Sequence, residues 1–312
     1  AERVERRTGV PTTAENVIIT PGGQSALFSA HMALLDAGAR GLICDPFYPT
    51  YPGTIRTAGA EPVTIPTRPE DAFQRREEEI AARAAGARTL LINTPNNPTG
   101  VVYSLATLDG IARVAGAHDL WLISDEVYDT QIWRGTHVSA RSLPGMADRT
   151  VVIGSMSKSH AMTGSRLGWV VAPVPVVEAV SVLATNTTYG VPAFIQKAAL
   201  FALGQGEELE ARIAEPFRRR RAIAERLLAG QNTVRLIPSS GAMYLMLDIR
   251  ATGMSGLGFA RALIEEERIA VMPGESFGAA AAGHLRVALT LEDGAFEQAL
   301  ARLVAFAQAR AV

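Results

Sequence analysis

The 312 residues carry 31 acidic and 30 basic side chains, a net charge of −1. That balance leaves no broad cationic face for nucleic acid or an anionic membrane. A single cysteine, Cys44, excludes an internal disulfide framework and fits a reducing, cytoplasmic setting.

No apolar run is long enough to span a bilayer. The charged opening AERVERRTGV is unlike a secretory signal and starts within a helix-like pattern. Short β-branched runs then alternate with helical stretches. NVIIT (16–20) leads into the helix-like QSALFSAHMALLDAG, and GLICD (41–45) is followed by EPVTIP (61–66). RTLLIN (88–93), LWLIS (120–124), TVVIG (150–154) and GWVVA (168–172) continue the series. Apolar strands separated by helices predict a parallel sheet covered on both faces. Ligands of such sheets bind at the carboxyl ends of the strands. Cys44, inside GLICD, reads as core packing. From Glu207 the pattern changes to one long charged helix, EELEARIAEPFRRRRAIAERLLAG, with a proline near its middle. Its RRRR run reads as a solvated or domain-bridging face. TVRLI, AMYLMLDI, a helix near 256–266, RIAVMP, HLRVAL and a last helix from Asp293 make a small α+β unit. The division expected is therefore 1–206 and 207–312.

Only two lysines, Lys158 and Lys197, stand against 28 arginines. An arginine is always protonated, whereas a lysine with a lowered pKa is a nucleophile that forms a Schiff base with a carbonyl. Lys197 sits in the apolar helix-like run PAFIQKAALFAL and reads as a surface residue. Lys158 sits among small polar residues in SMSKSHAMTGSRLGWV, which suits covalent chemistry. Arg286, alone in the apolar run HLRVALT, calls for a planar anion.

The ordered set TPGGQSAL, DPFYPTYP, NTPNNPTG, SDEVYD, SMSKSHAMTGSRLGWV and HLRVALT resembles the fold-type I aminotransferases of class I/II, the aspartate aminotransferase-like enzymes that use pyridoxal 5′-phosphate (PLP). The resemblance covers essentially the whole chain. It implies an α/β fold: a large domain with a mostly parallel, seven-stranded sheet between helices, and a small α+β C-terminal domain. It also implies that Lys158 anchors the PLP aldehyde and moves the substrate proton, and that Asp125 keeps the ring nitrogen protonated. Asn97 and Tyr128 would donate to the ring hydroxyl, and Tyr48 would stack on the ring. Gly23, Gln24 and Ser25 at a helix start, with Ser155 and Arg166, would hold the phosphate. Arg166, ahead of a buried strand, is expected to need that anion. Arg286, helped by Asn97, would take the substrate carboxylate.

What the resemblance implies for function is transamination between an L-amino acid and a 2-oxo acid, ping-pong through pyridoxamine phosphate, of the aspartate/2-oxoglutarate or arginine/pyruvate type. No metal, nucleic acid or membrane partner is called for. Arg134 in QIWRG is the candidate for a second, side-chain carboxylate. The stretch LATNTTYGVP (183–192), with Thr187 and Tyr189, is expected at the interface of a homodimer with shared active sites. Family members carry several dozen residues ahead of the point where this sequence starts. Those supply part of the small domain and a loop near the substrate carboxylate. A PLP-dependent C–S β-lyase shares every anchor residue, and a PLP-sensing domain of a transcription regulator is the reading from another class.

Overall fold

In the computed structural model, which describes residues 1–312, the alternating runs form α1 (Glu2–Thr8), β1 (Val17–Thr20), α2 (Gly23–Leu34), β2 (Arg40–Asp45), α3 (Tyr51–Thr57), β3 (Glu61–Pro66), α4 (Glu77–Ala84), β4 (Thr89–Asn93), α5 (Leu105–Ala117), β5 (Trp121–Asp125), β6 (Thr150–Ser155), α6 (Met156–Ser159) and β7 (Gly168–Val171). These seven strands make one sheet in the order β1-β7-β6-β5-β4-β2-β3. β2 to β6 pair in parallel. β7 runs antiparallel to both β6 and β1, so six strands point one way and β7 alone is reversed. Consecutive residues of a strand face opposite sides. Thus Leu42, Leu90 and Leu122 enter the core with α4 and α5, while Ile43, Leu91 and Ile123 enter the core with α2 and α3. Both faces are dry, as the run of apolar strands requires.

The chain continues through α7 (Val174–Thr185), α8 (Ala193–Gly204) and α9 (Gly206–Leu228), then β8 (Arg235–Leu236), β9 (Tyr244–Asp248), α10 (Gly256–Glu267), β10 (Met272–Pro273), β11 (His284–Ala288) and α11 (Asp293–Gln308). The second sheet is antiparallel throughout, in the order β10-β11-β9-β8. Its apolar face packs with α9, α10 and α11 around Leu245, Leu247, Phe259, Leu263 and Phe296. No helix is long and apolar enough to cross a membrane.

The long charged helix is continuous through Pro216. Its four arginines divide. Arg218 and Arg219 are exposed, with Arg218 paired to Glu215 at 3.6 Å and Arg219 to Asp293 at 2.8 Å. Arg220 and Arg221 are buried. Arg220 donates to Asp293 and to the Leu289 carbonyl, each at 2.9 Å. Arg221 donates to Ser239 at 2.6 Å and to Glu225 at 3.0 Å. A wholly solvated run is therefore not what forms. Half of it is a clamp that fixes α9 to α11 and to the loop before β9.

The two sheets meet at the carboxyl end of β2. The buried Asp45 carboxylate accepts from the backbone N–H groups of Ala279 at 2.9 Å and Ala280 at 3.2 Å. The Phe47 N–H donates to the Phe277 carbonyl at 2.8 Å.

Candidate active site

Because six strands run the same way, their carboxyl ends gather along one edge, and a pocket of ≈ 240 Å³ opens there. β1 ends at Thr20, and Gly22 then turns the chain into α2 with φ +86°. A side chain at 22 would be strained there, and its Cβ would come within 2.5 Å of Arg166 Nη2. The Arg166 guanidinium thus lies across the start of α2, where N–H groups are unpaired and the helix dipole is positive. Gly168 is needed for the same approach, since a Cβ on it would stand 2.6 Å from the Gly23 nitrogen.

β5 delivers Asp125 and β6 delivers Ser155. Ser155 caps α6, its hydroxyl accepting from Ser157 N–H at 3.1 Å, and the short helix carries Lys158 into the pocket. No carboxylate ion-pairs with Lys158; its Nζ stands 5.8 Å from the Tyr128 ring centre. The Asp125 carboxyl is buried. It accepts from the Tyr51 hydroxyl at 2.6 Å and from Val127 N–H at 3.3 Å. Burial pushes it up to about 6, and the Tyr51 hydrogen bond works against that rise. Asn93 ties this residue to the next loop. Its amide donates to the Asp125 carbonyl at 2.9 Å and its oxygen accepts from Asn97 N–H at 2.7 Å.

The far side of the pocket comes from the smaller sheet. Arg286 on β11 donates to Asn97 Oδ1 at 2.9 Å. Its guanidinium carbon lies 4.4 Å from the Tyr244 ring centre and 4.7 Å from that of Phe277. Its Nε is buried with no partner, a donor still waiting for an acceptor.

Gly23, Gln24, Tyr48, Asn97, Asp125, Tyr128, Ser155, Lys158 and Arg166 all line this one pocket. Arg286 adjoins it through Asn97 and Tyr244. Ser25 does not line it, although it lies in the first turn of α2, where the first N–H paired within the helix is that of Ala26. Arg166 is exposed and donates to the Thr163 carbonyl at 3.0 Å, so no burial penalty holds it there, contrary to expectation. Arg134 is also elsewhere, in an exposed ion pair with Glu225 at 2.9 Å. Tyr51, Asn93, Tyr244 and Phe277 were missed by sequence reasoning. For Tyr51 a signal existed, since DPFYPTYP offers two tyrosines three residues apart.

A protein family described as aminotransferase class I and II matches residues 1–303. The chain belongs to the class I and II aminotransferases. It is 42% identical over 305 residues to an arginine–pyruvate transaminase of Pseudomonas aeruginosa, covering 97% of this chain and 77% of that one. It is 36% identical to a probable aspartate/prephenate aminotransferase of Thermus aquaticus, covering 99% and 79%. The crystal structure of an aromatic aminotransferase from Pyrococcus horikoshii superimposes with a TM-score of 0.96 at 32% identity, over 99% of this chain and 84% of that one. The seven-stranded sheet with a smaller antiparallel one is the architecture of these enzymes, and the chain is a transferase of amino groups in a family that depends on PLP.

Proposed function

We propose that this pocket binds PLP through Lys158 and moves an amino group from an L-amino acid to a 2-oxo acid. The observation that carries this is one pocket holding a lysine amine without a carboxylate partner, a buried carboxylate and an anion-ready helix start. The donor set fits the cofactor piece by piece. Gly23 and Gln24 at the start of α2, with Ser155 and Arg166, suit a phosphate; Ser25 is the weakest member of that set. Burial opposes the charge on Asp125, lifting it to about 6, and a protonated ring nitrogen would be the cationic partner that such a buried carboxylate favours. When bound, PLP supplies an aldehyde for the lysine and a ring that accepts electrons. Around it Lys158 anchors and then carries the proton between substrate Cα and cofactor. Tyr128 and Asn97 donate to the ring hydroxyl, and Tyr48 covers a ring face. Arg286, with its free Nε, holds the substrate carboxylate and uses its bond to Asn97 to turn the Asn97 amide toward the ring.

The two units of the chain are proposed as 1–206 for cofactor binding and 207–312 for the bridging helix and small domain. The setting is proposed as cytoplasmic. The 42%-identical relative makes arginine with pyruvate the first pair to assay and aspartate with 2-oxoglutarate the second. The assembly proposed is a two-fold dimer. Val182, Tyr189, Phe194, Leu200 and Phe201, on α7, α8 and the turn between them, expose large apolar side chains, Tyr189 at 88% and Phe201 at 74%. A patch of this kind marks an interface.

The deciding experiment is borohydride reduction of PLP-loaded protein followed by peptide mapping. The label is expected on Lys158. Label on Lys197, or turnover retained by Lys158→Arg, overturns the assignment.

A further inference from the structure

Tyr244 opens β9 and pairs with Ala288 across the antiparallel register. Two residues along β11 stands Arg286, so Tyr244 and Arg286 are diagonal neighbours on one face of the small sheet. The small Ala242 and Ala288 leave room beside Tyr244 for Tyr128, which enters from the large sheet. The two rings meet edge to face, 5.9 Å between centres, and their hydroxyls are 3.2 Å apart although 116 residues separate them. Both side chains are buried. Tyr244 therefore touches the guanidinium with its ring and the Tyr128 hydroxyl with its own.

We propose that Tyr244 is a positioning residue that couples the carboxylate-binding Arg286 to the Tyr128 hydroxyl. The proposal rests on the reading above, in which Tyr128 donates to the PLP ring hydroxyl. A phenol has one proton. In the structure Tyr128 donates to Tyr244; when Tyr128 spends its proton on the cofactor, that bond reverses and Tyr244 becomes its donor. A hydroxyl that accepts a hydrogen bond is itself a stronger donor. The cation over the Tyr244 ring polarises that hydroxyl further. A substrate carboxylate at Arg286 would neutralise the cation and weaken the relay that ends at the Tyr128 hydroxyl.

Tyr244→Phe keeps the ring under Arg286 and removes the relay; Tyr244→Leu removes both. The readout is the pH midpoint of the visible absorbance of PLP-loaded protein, with KM and kcat for the amino acid beside it. Tyr244→Phe is expected to raise the midpoint by about 0.4–1 pH unit, the equivalent of one net hydrogen bond, with KM within about threefold of the parent. Tyr244→Leu is expected to raise the midpoint and also KM by tenfold or more. In a Tyr128→Phe background, Tyr244→Phe should shift the midpoint no further. An unchanged midpoint in Tyr244→Phe, or an equal shift in the Tyr128→Phe background, overturns the relay. If the parent protein with PLP shows no visible band and no turnover, the reading beneath it fails instead, and the two failures are distinct. Should Tyr244→Leu not fold, the Phe variants decide alone.

Discussion

Replacing Tyr51 by Phe removes one atom from a buried pair. The Tyr51 hydroxyl donates to Asp125 Oδ2 at 2.6 Å, and both groups lie in the core beneath the pocket. A hydrogen bond to a charged acceptor contributes about 1.5–3 kcal/mol, and 1.36 kcal/mol corresponds to one pH unit. In cofactor-free protein the Asp125 carboxyl, lifted to about 6 by burial, should therefore titrate about 1–2 pH units higher in the variant. The sign of the stability effect follows. A carboxyl raised above its unfolded value of 3.8 favours the folded state while protonated, and that contribution is lost as pH rises through the folded value. Below pH 5 the parent and Tyr51→Phe should differ little. At pH 8.5 the variant should be the less stable by at least about 1 kcal/mol more than at pH 5. Urea unfolding of both cofactor-free proteins at the two pH values measures this. A stability difference independent of pH would refute the assignment of the Tyr51 proton to the Asp125 carboxylate.

Arg286→Leu should lower kcat/KM by about 10²–10³-fold, the range expected when a buried charge pair worth 3–4 kcal/mol is broken. Arg286→Lys should recover only part of it, because a point charge replaces a planar fork; steady-state kinetics decide, and a Leu variant within threefold of the parent would remove the carboxylate role. Light scattering at micromolar concentration should give about twice the chain mass, with more than about 2,000 Å² buried in total. Phe201→Glu should shift the mass toward one chain, and a parent that is monomeric yet fully active would end the dimer proposal.

The large sheet was legible because a strand buried on both faces must be apolar at every position, and runs such as RTLLIN leave no other reading. The reversal of β7 was not, since GWVVA is equally apolar in either direction. Direction is set by the connection, not by the run. Lys158 and Arg286 stood out by composition, each chemically at odds with its surroundings. Their companions did not. Tyr244 and Phe277 meet Arg286 only through cross-strand register and a loop contact, and neither is encoded near HLRVALT. Arg220 and Arg221 read the same as Arg218 and Arg219, but successive positions on a helix turn by 100°, so two of the four point inward. Arg134 finds Glu225, 91 residues away, a pairing that no local pattern announces.

The contacts that assemble the pocket are far apart along the chain: 189 residues from Asn97 to Arg286, 116 from Tyr128 to Tyr244, 74 from Tyr51 to Asp125. Asp45 reaches its backbone partner Ala279 across 234. Each such closure costs loop entropy before it returns any contact energy, and a sheet of mostly parallel strands adds to the delay. No early, locally folded intermediate can hold the lysine, the carboxylate and the arginine together. The pocket is thus a late product of folding, and a chain caught short of its native state has no partial version of it. Cofactor capture in a refolding time course would then report the last step rather than the first collapse.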